Sequence, residues 1–291
     1  SSLSYESILT ASHKAKSDFF IKNKPEEISN ENSALFLPVS SPYAKYIDFV
    51  SVMYDRISDK VKSTCLDKKI PVIISADHSN AGGTIAGLSK AYPNEKIGVV
   101  WIDAHADLHS PYTTPSGNIH GMPLATALAE DNTSSKLNEV DKNTIEKWDK
   151  LKGDSQRVMP EHIIFFGVRD TEKQEDELIE RLNMKIFSVS DVRKNGEKKC
   201  VDETLNLLSD CDLIYVSLDV DSLDPEISDG TGTSVENGFK VAEVKKILSY
   251  LSNSSKFSCL EITEVNPTLD TKGNMMSEVA FEILEETVLK I

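Results

Sequence analysis

The chain has 291 residues, of which 39% are hydrophobic and 27% are charged, and its formal net charge is −15. This composition is typical of a globular protein with a sizeable core, and the acidic balance disfavours nucleic acid as a partner. No apolar run reaches the roughly 18–20 residues of a membrane span, so we expect no membrane partner either. Four scattered cysteines without CxxC spacing favour a reducing, cytoplasmic location over a cysteine zinc site.

The N-terminal 40 residues are polar and lack a clear pattern. We predict a short helix or an irregular arm up to about residue 34, a brief strand at 34–38, and a helix at about 43–62. Beyond residue 70, apolar strands alternate with amphipathic helices. The predicted strands cover 70–74, 97–102, 162–168, 185–189, 213–218 and 257–262. The predicted helices cover about 81–91, 123–129, 175–181, 201–208, 241–251 and 276–290, with a further one near Trp148.

This alternation predicts an α/β fold, a three-layer α/β/α sandwich with a mainly parallel central sheet. No linker or internal repeat divides the chain. We therefore predict one domain over 1–291, in which residues 1–40 form a divergent or irregular N-terminal arm.

Polar side chains follow three of the predicted strands at their carboxyl ends. They are Asp77 and His78 after 70–74, Asp103, His105 and Asp107 after 97–102, and Asp219 and Asp221 after 213–218. In an extended backbone, alternate residues of 103–107 would share one face. Ligands of parallel sheets bind outside the carboxyl ends of the strands, so we expect these groups to converge.

The histidines favour a metal site at that edge. A single histidine beside a strand is more often structural, but four of the six histidines lie between residues 78 and 120, interleaved with aspartates. A carboxylate-rich set with few imidazoles suits Mn²⁺ better than zinc, and six such ligands can hold two ions only if some carboxylates bridge them. Two-metal sites, with ions about 3.5–4 Å apart, deprotonate a water molecule. We therefore predict metal-assisted hydrolysis.

Several spaced motifs resemble the ureohydrolase superfamily, and within it the arginases. They are SADHS (75–79), DAHAD (103–107), TTPSGNIHG (113–121), SLDVDSLDP (217–225) and EITEVNP (261–267), and the resemblance covers roughly residues 70–290. TTPSGNIHG is the motif that points to arginases. The resemblance implies two Mn²⁺ ions per subunit, L-arginine as substrate, and a homotrimer or hexamer.

Carried over by position, the resemblance implies a ligand set for each ion. The first would be held by His78, Asp103, Asp107 and Asp219, and the second by His105, Asp103, Asp219 and Asp221. A hydroxide bridging the ions, oriented by Asp107, would attack the guanidinium carbon of L-arginine and release urea and L-ornithine.

Two further residues complete the implied catalytic set. Glu264 would hold the guanidinium group, and His120 would carry a proton to the leaving amine. The alternatives are that Glu264 is an ordinary carboxylate at the end of a strand and that His120 merely caps a loop.

The resemblance also implies contacts with the amino-acid head of the substrate. Thr114, Ser116 and Asn118 would face the α-carboxylate, and Glu172 would bind the α-amino group, where arginases usually have the shorter Asp. Thr233 would lie near the substrate. The alternative is that a loop rich in Ser, Thr and Asn is simply solvated.

The chain departs from the family pattern at two places near these residues. His109 stands where arginases usually have Asn, and we expect it to contact the substrate carboxylate. Ser75-Ala76 replaces the usual Gly-Gly before His78. Other functions therefore stay open: hydrolysis of agmatine, guanidinobutyrate or formimino-glutamate by the same mechanism, or a metal-binding protein without activity.

Overall fold

Six parallel strands form one sheet in the computed structural model, which describes residues 2–291. The strands are β1 Val72–Ile74, β2 Ile97–Ile102, β3 Ile163–Phe166, β4 Lys185–Phe187, β5 Leu213–Asp219 and β6 Phe257–Thr263. They lie in the order β1-β6-β5-β2-β3-β4, and every neighbouring pair is parallel. The predicted α/β architecture is confirmed, with a sheet that is wholly rather than mainly parallel.

Helices cover both faces of this sheet. They are α1 Ser4–Lys14, α2 Phe19–Lys22, α3 Ile47–Leu66, α4 Ala81–Ala91, α5 Pro123–Leu128, α6 Lys142–Lys152, α7 Lys173–Leu182, α8 Val189–Asn195, α9 Glu197–Leu207, α10 Val241–Ser252 and α11 Met275–Val288. Successive strand residues point to opposite faces, so β2 divides its side chains between two cores. Val100 and Ile102 pack in the core that contains α9, α10 and α11. Val99 and Trp101 pack in the core that contains α3, α4 and α7.

The central strand β2 is buried at every residue. A parallel strand covered by helices on both faces has no solvent side, which explains why its sequence is continuously apolar rather than alternating. Its carboxyl end opens onto the edge of the sheet where β5 also ends, since Ile102 pairs with Leu218. This edge is where the predicted metal ligands lie.

The N-terminal region differs from prediction. The strand predicted at 34–38 is wrong, because Asn32–Phe36 forms a short 3₁₀ helix and Leu35 and Phe36 are exposed. The predicted helix at 43–62 begins later, at Ile47, because Tyr46 has a left-handed backbone with φ 60°. Residues 2–34 contain α1 and α2. The assignment of one domain to the whole chain stays a prediction.

The sequence did not predict one helix, α8. β4 ends at Phe187, and Ser188 caps α8 by accepting a hydrogen bond at its hydroxyl from the backbone N–H of Asp191, 3.1 Å away. Seven residues are too few for a helical period to stand out. Across residues 2–291, no helix combines the length and apolar character needed to cross a membrane. All four cysteines are buried and free.

Candidate metal centre

The backbone does not continue as a strand through the DAHAD motif. It bends directly after β2, and Asp107 has a left-handed backbone with φ 52°. The prediction of an extended segment at 103–107 is therefore wrong. Turns bring the side chains together instead: Asp103 Oδ1 accepts a hydrogen bond from the N–H of His105 at 2.8 Å, and Asp219 Oδ1 accepts one from the N–H of Asp221 at 2.8 Å. Each carboxylate thus keeps its second oxygen for other partners.

The Oδ2 atoms of three aspartates converge on one imidazole nitrogen. His78 Nδ1 lies 3.1 Å from an Oδ2 atom of each of three carboxylates, those of Asp103, Asp107 and Asp219. His78, Asp103 and Asp219 are almost wholly inaccessible to solvent. Among the described residues, His78 Nδ1 and Asp103 Oδ2 nevertheless have no partner with hydrogen-bond geometry. Buried polar atoms are rarely left unpaired in folded proteins, so this cluster has the character of a cation site.

Two neighbours fix the ring of His78. The imidazole stacks on the indole of Trp101, with ring centroids 4.1 Å apart and planes inclined by 4°. On its far side, His78 Nε2 lies 2.8 Å from the hydroxyl of Ser217. If Nε2 donates to that hydroxyl, Nδ1 carries a bare lone pair that faces the carboxylates, which is the tautomer a metal ligand requires.

A second group of ligands adjoins the first. His105 Nδ1 lies 3.0 Å from Asp221 Oδ2 and 3.5 Å from Asp103 Oδ1, so Asp103 faces both imidazoles. The far nitrogen of His105, Nε2, lies 3.7 Å from Asp170 Oδ2. Thr233, which the sequence assigned to the substrate, donates a hydrogen bond from Oγ1 to Asp221 Oδ2 at 3.0 Å.

Crowding shifts the pKa values of these groups strongly. Burial and the charge of Asp103 raise the pKa of Asp107, and they raise that of Asp221 to about 6. Burial and the charges of Asp221 and Asp103 raise the pKa of Asp219 well above its usual range. Burial acts against the charged form of His105, but Asp103 and Asp221 outweigh it and raise its pKa to about 12. Four carboxylates packed this closely repel one another, and divalent cations would relieve that repulsion.

The residues therefore fit a binuclear metal centre. Two triplets of this cluster have ligand atoms that all lie within 4.8 Å of one another: His78, Asp103 and Asp107 form one, and Asp103, His105 and Asp221 form the other. They share Asp103, whose two oxygens face opposite imidazoles. Hard carboxylate oxygens with one imidazole per triplet are a donor set that suits Mn²⁺.

Glu264 and His120 lie together beside this centre. Glu264 Oε1 accepts a hydrogen bond from the backbone N–H of His78 at 2.8 Å and lies 3.8 Å from His120 Nδ1. The Glu264 carboxylate raises the pKa of His120 to about 9. Burial alone would raise the pKa of Glu264, but His120 lowers it. Glu264 has a left-handed backbone with φ 64°. Residues other than glycine adopt this conformation mainly where function or packing requires it.

The predicted substrate loop, residues 113–118, turns sharply at Gly117. Its φ is 77°, and Thr114 Oγ1 accepts a hydrogen bond from the Gly117 N–H at 2.9 Å. Thr114 is buried, whereas Ser116 is exposed and Asn118 is half-buried. Ser116 Oγ accepts a hydrogen bond from the N–H of Asn118 at 3.1 Å, and Asn118 Oδ1 accepts one from Lys45 Nζ at 3.1 Å.

The predicted ligand of the α-amino group lies beside His109. His109 Nε2 is 2.9 Å from Glu172 Oε2, and His109 Nδ1 is 3.1 Å from Thr113 Oγ1. The structure thus places His109 against Glu172, whereas the sequence assigned it to the substrate carboxylate. Below them the carboxylate of Glu175 is buried, and it accepts hydrogen bonds from the backbone N–H groups of Leu108 and Glu172 at 3.0 and 3.2 Å.

Sequence reasoning missed five residues of this region: Trp101, Asp170, Glu175, Ser217 and Lys45. Ser217 leaves a trace in the sequence, because a serine inside the buried apolar run of β5 needs a polar partner. Asp170 and Trp101 are ordinary residues of a loop and a strand, and no local pattern marks them. Lys45 reaches the substrate loop from a distant part of the chain.

Comparison with known proteins agrees with this geometry. A profile described as "Arginase family" matches residues 24–290. The chain belongs to the arginase family. It is 35% identical to an arginase of Bacillus subtilis (strain 168) over 246 residues, which are 84% of this chain and 78% of that protein.

Two solved structures of arginases are also similar. One, from Bacillus subtilis, has a TM-score of 0.79 at 30% identity and covers 98% of this chain and 91% of its own. The other, an Entamoeba histolytica arginase in complex with L-ornithine, has a TM-score of 0.75 at 27% identity and covers 91% and 84%. This chain is accordingly a ureohydrolase-family hydrolase, of a family with a binuclear metal centre and small guanidino substrates.

Proposed function

We propose that this protein is an arginase, which hydrolyses L-arginine to L-ornithine and urea with two Mn²⁺ ions per subunit. The observation that carries the proposal is the convergence of three carboxylate oxygens on His78 Nδ1, each at 3.1 Å, next to the pair formed by Glu264 and His120. The similarity to arginases, including one whose structure contains L-ornithine, supports the same substrate.

The proposed ligands divide between the two ions as the sequence motifs imply. His78, Asp103, Asp107 and Asp219 would hold one ion, and His105, Asp103, Asp219 and Asp221 would hold the other. When bound, two Mn²⁺ ions lower the pKa of a water molecule so that a nucleophile is available near neutral pH. The protein supplies a rigid, buried ligand set in which Asp103 and Asp219 are shared.

Glu264 binds the guanidinium group in this proposal. Its carboxylate is held at the edge of the metal cluster by the N–H of His78, and it carries a negative charge because neighbouring His120 lowers its pKa. A carboxylate can pair with a guanidinium through two charge-assisted hydrogen bonds, which orients the planar group as well as binding it.

His120 holds the proton that the leaving amine needs. With a pKa raised to about 9, its imidazole is mostly protonated at neutral pH. It is half-buried, with a third of its side chain exposed, so the ring can exchange protons with solvent between turnovers. We therefore assign it the transfer of a proton to the amine that becomes the ornithine side chain.

The head of the substrate distinguishes the rival reactions. A loop of uncharged donors, Thr114, Ser116 and Asn118, suits a carboxylate, while Glu172 suits an ammonium group. Only a substrate with a complete amino-acid head needs both. Glu172→Ala should raise the KM for L-arginine, and Glu177→Ala, at an exposed position on α7, which begins directly after Glu172, serves as the control. An unchanged KM would contradict the role of Glu172.

The experiment that tests the function offers Mn²⁺-loaded protein L-arginine, agmatine or formimino-glutamate, with a chelator in a parallel sample. It measures urea released from the first two substrates and formamide released from the third. Chelator-sensitive urea from L-arginine alone is the expected result. Asp103→Asn should abolish it, whereas Asp59→Asn, at an exposed position on α3, should not. Turnover of agmatine instead would keep the metal chemistry and contradict the substrate. The trimeric or hexameric assembly and the cytoplasmic location stay predictions.

A further inference from the structure

We infer that Lys45 is a substrate-binding residue whose ammonium group pairs with the carboxylate of the substrate head. The inference rests on the proposed arginase function. It concerns a residue outside the motifs that define the family resemblance, contributed by the segment that precedes α3.

The position of Lys45 is fixed by contacts between this segment and the substrate loop. The backbone N–H of Lys45 donates to the carbonyl oxygen of Gly117 at 2.8 Å. A Cβ atom on Gly117 would lie only 1.9 Å from the carbonyl oxygen of Pro42, so the two backbones are in close contact. The backbone that carries Lys45 is therefore anchored to the loop that carries Asn118.

The side chain of Lys45 reaches the residue predicted to bind the α-carboxylate. Lys45 Nζ donates a hydrogen bond to Asn118 Oδ1 at 3.1 Å. Because the Oδ1 side of the amide is engaged, the Asn118 NH₂ group is left to donate elsewhere. An ammonium group and an amide donor thus lie side by side, an arrangement that suits a carboxylate with two oxygens.

Charge also favours an anionic partner. Lys45 is half-buried, and within residues 2–291 it forms no ion pair with a carboxylate, although the protein carries a net charge of −15. A partly desolvated ammonium group with only a neutral amide partner gains more from an anion than an exposed lysine does. In the proposed function, Glu172 supplies the opposite charge for the α-amino group. Lys45 and Glu172 together would match the carboxylate and the ammonium group of a zwitterionic amino acid.

The inference predicts a loss that depends on the substrate carboxylate. Lys45→Met removes the charge and keeps the apolar stem, whereas Lys45→Arg keeps the charge. Lys147→Met is the matched control, because Lys147 is a partly exposed lysine on α6 paired with Asp48. Lys45→Met should raise the KM for L-arginine about tenfold, as expected for one charge-assisted hydrogen bond, with kcat little changed. Lys45→Arg should restore most of the affinity.

A binding measurement separates this inference from the proposed function. Calorimetric titration of Mn²⁺-loaded protein with L-ornithine should show the same loss in Lys45→Met, and no loss should appear with putrescine, which lacks the carboxylate. Equal affinities of wild type and Lys45→Met for L-ornithine, an equal loss for putrescine, or no binding of L-ornithine to the wild type would overturn the inference. L-Ornithine binding that depends on Lys45, without hydrolysis of L-arginine, would overturn the arginase proposal alone.

Discussion

His109 Nε2 lies 2.9 Å from Glu172 Oε2, so a histidine contacts the carboxylate that we assign to the α-amino group of the substrate. Burial works against the charged form of Glu172, but its contacts with Glu175 and His109 lower its pKa. The carboxylate is therefore charged but already partnered. A substrate ammonium group must compete with the imidazole for it.

Replacing His109 with the Asn usual in arginases should remove this competition. We expect His109→Asn to lower the KM for L-arginine about three- to tenfold, which is the net value of one ordinary hydrogen bond. The KM for 5-guanidinopentanoate, which lacks the α-amino group, should stay the same. Exposed His13→Asn on α1 is the control. A higher KM for L-arginine would mean that His109 itself binds the substrate, as the sequence analysis expected.

Ser217 should affect metal affinity without contacting the metal. Its hydroxyl, 2.8 Å from His78 Nε2, holds the ring in the orientation in which Nδ1 faces the three carboxylates. Loss of such a partner typically weakens metal binding about 10- to 100-fold. We expect Ser217→Ala to weaken Mn²⁺ binding by that factor in calorimetric titration. Ser258→Ala on β6, whose hydroxyl only donates to the carbonyl of Lys256, is the control. Equal affinities would show that stacking on Trp101 is sufficient.

Position 117 should require glycine for two reasons, the close contact with Pro42 and the positive φ. Gly117 and Gly196 both have positive φ, 77° and 89°, but a Cβ atom would meet Pro42 only at Gly117. Gly196 has φ 89° and ψ 142°, so Gly196→Ala should cost about 1–3 kcal/mol of unfolding free energy from backbone strain alone. Gly117→Ala should cost clearly more in chemical denaturation and should also raise the KM for L-arginine. Equal costs for the two variants would contradict the close contact between the segments.

The thiol of Cys211 should be unreactive in the folded protein. Burial and neighbouring Asp210 raise its pKa to about 11, so at pH 8 only about one thiol in a thousand is ionised. The stability gained by keeping this thiol neutral is present below the unfolded pKa of about 8.5 and is lost as the pH rises through about 11.

Two measurements check this behaviour. Mass spectrometry after iodoacetamide treatment at pH 8 should find Cys211 unmodified in native protein and alkylated in urea. The unfolding free energy should fall less between pH 8.5 and 10.5 in Cys211→Ala than in wild type. Rapid alkylation of the native protein would show that the thiol is accessible.

The sequence predicted the elements whose pattern is local. Apolar runs placed β2 and β5 within one residue of their observed bounds, and the order of polar groups at strand ends identified the edge that carries the candidate centre. The conformation of 103–107 was mispredicted, because alternating residues are equally compatible with turns in which an aspartate accepts hydrogen bonds from its own backbone. Which turn forms depends on the neighbouring strand ends.

The sequence pattern could not predict contacts between distant segments of the chain. Nothing in the residues around Lys45 or Asn118 indicates that they meet, because 73 positions separate them and their contact depends on how α3 packs beside the loop. The contact of His109 with Glu172 likewise follows from where α7 begins. Local periodicity determines which residues form an element, whereas such pairs are determined by how the elements pack.

The shared carboxylates also have a consequence for folding. Asp103 directly follows β2 and Asp219 ends β5, and these strands are neighbours in the sheet although more than 100 residues separate them in the chain. The ligands around His78 therefore come together only after a long loop has closed, which is a slow step for a parallel sheet. Under the proposed ligand assignment, tight metal binding should then follow, rather than precede, the pairing of the two central strands. The metal would therefore stabilise a topology that the chain has already reached.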